Sequence, residues 1–158
     1  MLQPLPDTSS PELFARNVAG VLFTWDTREA AGLADWEQVL VDVADADEAP
    51  AAAADVRGHF PGAEMWTRLR TYRTRQSLDI ESITVPAAWA TAVEQASAGQ
   101  IPPGAAAFTV VGTSHREGTW NTEVIRTERE VSFTVFVVCP ADETCTLLRL
   151  SKLDHPLE

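Results

Sequence analysis

The last third of the chain alternates long runs of β-branched and aromatic residues with short polar breaks, a pattern typical of extended antiparallel strands. We place strands at residues 105–116, 120–138 and 145–153, with a hairpin turn at Glu117–Thr119. The middle run is long for a strand, so we expect a bend or bulge in its polar part, residues 126–130. Strands of this kind need one covered face, which the rest of the chain has to provide.

In the N-terminal part of the chain, apolar residues are spaced as in helices instead. After a helix start at Ser10–Glu12, apolar residues from Leu13 to Trp25 recur every three to four positions. Further elements are predicted as helices at 33–43, 51–58, 63–72 and 87–96, and as a strand at 76–85. Helices followed by long, bent strands indicate an α+β fold. We expect a cone, in which N-terminal helices pack inside a strongly curved antiparallel sheet of about four strands.

The length of 158 residues fits one domain, which we place at residues 11–155, while the polar, proline-rich residues 1–10 read as a linker. No stretch of the sequence approaches the roughly 18 apolar residues of a membrane span. The net charge of −11 argues against direct nucleic-acid binding, because phosphate contacts need clustered lysine and arginine. Residues 1–64 hold twelve acidic residues and three arginines, so the charge lies mainly in the helical front, where it favours solubility.

Cys139 and Cys145 flank a five-residue turn, Pro140–Thr144, between the last two predicted strands. If these strands pair directly, the two cysteines lie opposite each other and close enough for a disulfide. Such a bond is typical of proteins outside the cytoplasm. The alternative is two reduced, unrelated cysteines in a cytoplasmic protein. No further ligand with zinc spacing lies nearby, so we expect no metal site.

Among the carboxylates of the sequence, Asp26 is the one most expected to line a pocket. It follows Trp25 at the end of the first predicted helix, where it could face the cavity of a cone and act as a general base with a raised pKa. The alternative is a helix cap.

The histidines form no recognisable catalytic or metal pattern. His59 lies in a predicted Gly58–Pro61 loop and His115 at a strand end, so we interpret both as loop or surface residues. The alternative is that they line the same cavity as Asp26. Ser114 and His115 are neighbours on a strand and point to opposite faces, which excludes a nucleophile–base pair.

Four segments resemble conjugative-transfer proteins of actinobacteria, which are similar to the TcpC family and to the bitopic VirB-type inner-membrane component of type IV secretion systems. The segments are LFTWDTR (22–28), TYRTRQSLDIESITVPAAWA (71–90), GTSHREGTWN (112–121) and VSFTVFVVCPADETCTLLRLSKLDHPL (131–157). Together they span nearly the whole chain.

The resemblance implies a nuclear-transport-factor-2-like domain that is extracytoplasmic and is anchored by a membrane helix absent from this chain. It implies self-association and contacts with other transfer-channel proteins. Members of such families are scaffolds, so it implies no catalytic residues and no cofactor. The expected function is therefore a non-catalytic assembly module of a conjugative transfer machine.

The competing interpretation is a cytoplasmic cone-fold enzyme or small-ligand binder that uses Asp26, with His59 or His115, in its cavity. An open cavity on the order of several hundred Å³ with convergent polar groups would favour this interpretation. A cavity filled by the protein's own tryptophans and leucines would favour the scaffold.

Overall fold

A computed structural model describes residues 2–158 and has a mixed α+β fold, as the sequence predicts. The helices are α1 (Pro11–Phe23), α2 (Leu33–Val41), α3 (Ala49–His59), α4 (Ala63–Thr71) and α5 (Ala87–Gln95). The strands are β1 (Trp25–Asp26), β2 (Arg75–Thr84), β3 (Ala105–Trp120), β4 (Glu123–Val138) and β5 (Thr146–Leu150).

The strands form one curled antiparallel sheet in the order β1-β2-β3-β4-β5, which closes about half of a barrel. Five strands are present where about four were expected. The additional strand is β1, because the chain leaves the helix after Phe23 and Trp25 pairs with Gln76 of β2. The helix thus ends before Trp25, whose spacing had grouped it with the apolar residues of α1.

The bulge predicted at residues 126–130 is absent. β3 and β4 pair in one unbroken register over 16 residues, from Ala105 opposite Val138 to Trp120 opposite Glu123. The register shifts instead on the neighbouring strands, at Glu81 of β2 and at Leu148 of β5. Extra residues at these positions increase the local twist of the two flanking strands.

The hairpin turn also differs from the prediction. Asn121 and Thr122 form the turn, with Asn121 at φ 56°, a left-handed conformation that asparagine tolerates. Gly118 lies within β3, where an added Cβ would come within 3.1 Å of Thr74 Oγ1 and 3.2 Å of Tyr72 O. Gly118 thus lies at a close approach between two chain segments, where a side chain would displace its neighbours by a few tenths of an ångström, and not in a turn.

The concave side of the sheet is filled by α1. Ser10 caps this helix by accepting a hydrogen bond from the Leu13 N–H, and Phe14, Val18 and Leu22 follow at four-residue spacing on its buried side. The helix contacts β2, β3 and β4. The core therefore lies between α1 and the inner sheet face, as expected for helices packed inside a curved sheet.

Both chain ends pack onto the domain. Residues 2–10 lack regular structure, but Leu5 is buried in the core and Thr8 O accepts a hydrogen bond from Cys145 N. Their description as a linker is therefore too simple. At the other end, Leu157 N donates to Thr134 Oγ1, on the sheet face opposite the core. None of the helices within residues 2–158 has the length and apolar character needed to cross a bilayer.

Candidate functional site

A row of alternating charges crosses four strands on the outer sheet face, the face away from α1. Asp26, Arg75, Glu117 and Arg126 occupy directly paired positions on β1 to β4. Arg75 Nη2 lies 2.6 Å from Glu117 Oε2, and Arg126 Nη2 lies 3.3 Å from Glu117 Oε1. Cross-strand pairs of opposite charge stabilise the sheet modestly, by about 0.2–1 kcal/mol each.

A second row runs parallel to this one and contains His115. His115 Nδ1 lies 3.3 Å from Glu128 Oε2, and Nε2 lies 2.8 Å from Asp79 Oδ2, without the alignment of a hydrogen bond. Between the two rows lies an open groove of about 800 Å³, bordered at one end by Glu29 and Trp36. We call this the outer groove.

Asp26 lines the outer groove but does not have the properties of a general base. Its carboxylate accepts three hydrogen bonds from Arg28, from the backbone N–H and from Nε at 2.9 Å each and from Nη2 at 2.7 Å. These bonds to Arg28 lower the pKa of Asp26 from its ordinary value. The prediction of a raised pKa is wrong, and Asp26 caps no helix, because it lies in β1.

His59 lies at the end of α3, not in a loop as predicted. Its ring packs between Phe23 and Phe133 of the core, and Nε2 is 2.8 Å from Ser151 O, to which it donates. The other nitrogen, Nδ1, is buried without a hydrogen-bond partner among the described residues. Burial lowers the pKa of His59, which favours the neutral ring. His59 therefore joins a helix end to the last strand and the tail that follows it.

A small polar cavity lies on the inner face next to His59. It measures about 270 Å³ and also borders Ser114, Arg116 and Arg129. Arg116 lies with Cζ 5.3 Å from the ring centroid of Trp25, and its Nε donates to Gln76 Oε1 at 2.7 Å. Desolvation lowers the pKa of Arg116. No carboxylate lies within ion-pair distance of this guanidinium in residues 2–158, although it is half-buried.

The structure thus divides the residues of the expected cavity between two places. Asp26 and His115 line the outer groove, which Trp25 also borders although it is almost fully buried, whereas His59 borders the inner cavity. Ser114 and His115 point to opposite faces, as predicted. The residue that sequence reasoning missed is Arg116. Its even spacing with Val110, Gly112 and Ser114 places it on the inner face, and that signal was available.

The free end of the β3–β4 hairpin carries a cluster of exposed apolar residues. Trp120 and Tyr72 stack with their ring centroids 5.1 Å apart, although 54% of Trp120 and 40% of Tyr72 remain exposed. Ile125, which points to the same face as Trp120, is also about half exposed. We call these three residues the hairpin-end cluster. Exposed clusters of aromatic and aliphatic residues are characteristic of protein-interaction surfaces.

The expected disulfide between Cys139 and Cys145 is present, with a Cα–Cα separation of 4.1 Å. It closes the β4–β5 turn next to Gly104, whose carbonyl accepts a hydrogen bond from Cys139 N. Among residues 2–158, no group of three or more histidine, cysteine, aspartate or glutamate side chains could hold a metal ion.

Comparison with known proteins gives no match to a protein-family model, to a curated protein or to a solved structure.

Proposed function

We propose that this chain is a non-catalytic assembly module of a conjugative DNA-transfer machine of the type IV secretion kind. In this proposal it is the extracytoplasmic, nuclear-transport-factor-2-like domain of a protein that a membrane helix outside these 158 residues anchors. Its partners are other transfer-channel proteins. The observation that carries the proposal is the hairpin-end cluster, where Trp120 and Tyr72 stack on each other while remaining about half exposed.

The filled interior of the cone supports an assembly role. Phe14 and Leu22 of α1, with Trp25, Trp66 and Phe133, occupy the concave side of the sheet. A small-molecule site of ordinary size needs a largely apolar cavity of about 300–1,000 Å³. The inner cavity beside His59, of about 270 Å³, is smaller than that range and is lined mainly by polar side chains, and an open recess of about 400 Å³ lies between Arg116 and the hairpin-end cluster.

The disulfide supports the proposed compartment. Cys139 and Cys145 are bonded in the structure, and such bonds persist in oxidising surroundings, such as the space outside the bacterial inner membrane. The resemblance of residues 131–157 to conjugative-transfer proteins, a segment that includes both cysteines, implies the same compartment.

A second candidate function is a cytoplasmic small-ligand binder or enzyme. Two observations favour it. The outer groove of about 800 Å³ is an open cavity where polar groups, Asp26 and His115 among them, converge. The half-buried Arg116 borders the inner cavity and has no carboxylate within ion-pair distance among residues 2–158, as a group that binds an anion would. The lowered pKa of Asp26 and its pairing with Arg28 argue against the catalytic version in which Asp26 is the base.

The test is copurification of the full-length, membrane-anchored protein from a conjugating host, with identification of transfer-channel proteins among its partners. Trp120→Ser should reduce their recovery at least fivefold. Val85→Ser, at an equally exposed apolar residue at the end of β2, is the matched control and should have no effect. Equal recovery with both variants would contradict the assigned surface, and absence of channel proteins from the unmodified sample would contradict the function.

A further inference from the structure

The outer half of β4 is an unpaired sheet edge. β5 pairs only with Val135–Val138, and the tail extends the pairing to Ser132 and Thr134 through hydrogen bonds from Asp154 N and Ser151 N. Beyond this point no strand within residues 2–158 lies beside β4 on that side, and residues 121–130 are all exposed. Such an edge is a template for another strand.

The direction of the free backbone groups follows from the pairing. In an antiparallel strand, alternate residues point their N–H and C=O groups to opposite sides. Ser132 and Thr134 point theirs towards the tail, so Val124, Arg126, Glu128 and Glu130 point theirs to the open edge. This gives four donors and four acceptors in the half of β4 that lies outside the core.

We propose that this edge pairs with the same edge of a second copy of the chain, antiparallel and around a two-fold axis at Thr127. The inference rests on the proposed assembly function and names one of its partners. Around this axis Arg126 of each copy lies opposite Glu128 of the other, and Val124 lies opposite Glu130. Two copies then share eight backbone hydrogen bonds, because each contributes four N–H groups.

The charges select this register over its neighbours. A slip that places the axis at Arg126 sets arginine against arginine, and a slip that places it at Glu128 sets glutamate against glutamate. Like charges directly opposite each other destabilise a strand pair, whereas opposite charges stabilise it. With the axis at Thr127, Arg126 of each copy faces Glu128 of the other, which gives two pairs of opposite charge. Neither residue then faces a like charge.

The pairing should be weak for the free domain, because one short strand pair is much smaller than a stable interface of about 1,600 Å². Anchoring both copies in one membrane would raise their effective concentration and favour the pair. A covalent trap is therefore the appropriate first test.

Thr127→Cys provides this trap. At the proposed axis the two residues at 127 form a non-hydrogen-bonded pair, whose short Cα–Cα distance of about 4.5 Å suits a disulfide. We expect mild oxidation of the concentrated protein to give a covalent dimer at least tenfold more efficiently than with Val124→Cys, the control on the same edge. Equal or absent cross-linking at 127 would overturn the proposal.

A charge exchange tests the register in solution by sedimentation equilibrium. Glu128→Arg creates two arginine pairs and should weaken dimerisation about tenfold. Adding Arg126→Glu in the same chain reverses both charges and should restore it. The edge pairing would be overturned if Glu128→Arg did not weaken dimerisation, or if adding Arg126→Glu did not restore it. Transfer-channel proteins that still copurify with these variants would leave the assembly function standing, so the two failures are distinguishable.

Discussion

The guanidinium of Arg116 lies over the indole of Trp25, with Cζ 5.3 Å from the ring centroid, and joins β3 to the first strand of the sheet. Nε of Arg116 also donates to Gln76, whose amide in turn donates to Phe23 O. One inward-facing, half-buried side chain thereby connects three elements around the end of α1.

We predict that Arg116→Ala lowers the free energy of unfolding by about 1–2 kcal/mol, because it removes a cation–π contact and a hydrogen bond. Arg116→Met keeps most of the aliphatic packing and should recover part of the loss. Urea denaturation measures both. Arg126→Ala, at a side chain that is 73% exposed, is the control and should change little. An alanine variant at 116 as stable as the unmodified protein would contradict this account.

Gly104 should be irreplaceable for two separate reasons. Its φ is +84°, and an added Cβ would collide with Cys139 O. Gly99 has nearly the same φ, +85°, but open space around it, so a substitution there measures the cost of the backbone conformation alone. We expect Gly99→Ala to cost about 1–2 kcal/mol and Gly104→Ala clearly more. If thermal or urea unfolding shows that both variants lose the same free energy of unfolding, the close approach to Cys139 does not affect stability.

His59 should make the protein less stable as the pH falls below 6.5. Burial lowers the pKa of His59 in the folded protein, while the unfolded chain keeps the ordinary value of 6.5. Above pH 6.5 His59 does not reduce the free energy of unfolding. As the pH falls from 6.5 towards the pKa of the folded state, the free energy of unfolding decreases by at most about 1.4 kcal/mol per pH unit, because only the unfolded chain takes up the proton.

His59→Gln retains a donor for Ser151 O and does not titrate, so it is the matched variant for this prediction. The difference in the free energy of unfolding between the two proteins should change between pH 7 and pH 5, with the histidine protein losing more. Asp55 and Asp154, which partly oppose the shift, are present in both proteins. Parallel pH profiles would refute the assignment.

The Cys139–Cys145 disulfide should stabilise the domain by roughly 2 kcal/mol, the chain-entropy value for so small a loop. Reducing agent should lower the urea midpoint of the unmodified protein but leave a Cys139→Ala, Cys145→Ala double variant unaffected. If the midpoint of the unmodified protein does not respond to reductant, the bond contributes nothing to stability in solution.

The parts of the fold that follow from local pattern were predictable, and those that depend on distant contacts were not. Cys139 and Cys145 could be paired because a symmetric turn fixes their register. Gly118 was read as a turn residue, but its reason is a contact with residues 72–74, more than forty positions away. His59 was read as a loop residue after Gly58, yet its contacts with Phe23, Phe133 and Ser151 hold it at the helix end.

The candidate site was less predictable than the fold for the same reason. Asp26 beside Trp25 suggested a desolvated carboxylate, but the two side chains point to opposite faces of β1, and Arg28 reaches back to Asp26. The role of Arg116 depends on the indole of Trp25, which lies in another strand. Sequence spacing shows which face a residue occupies, but not which distant residue shares it.

The most direct test of the assembly account is site-specific photocross-linking in the membrane of a conjugating host. A photoreactive phenylalanine analogue at Trp120 of the full-length, anchored protein should form adducts with transfer-channel proteins identified by mass spectrometry. The same probe at Val85, which is 57% exposed but follows the end of β2 that lies away from the hairpin-end cluster, should not. Adducts with channel proteins at 120 and not at 85 are the predicted result. An absence of channel-protein adducts at 120 would contradict the account.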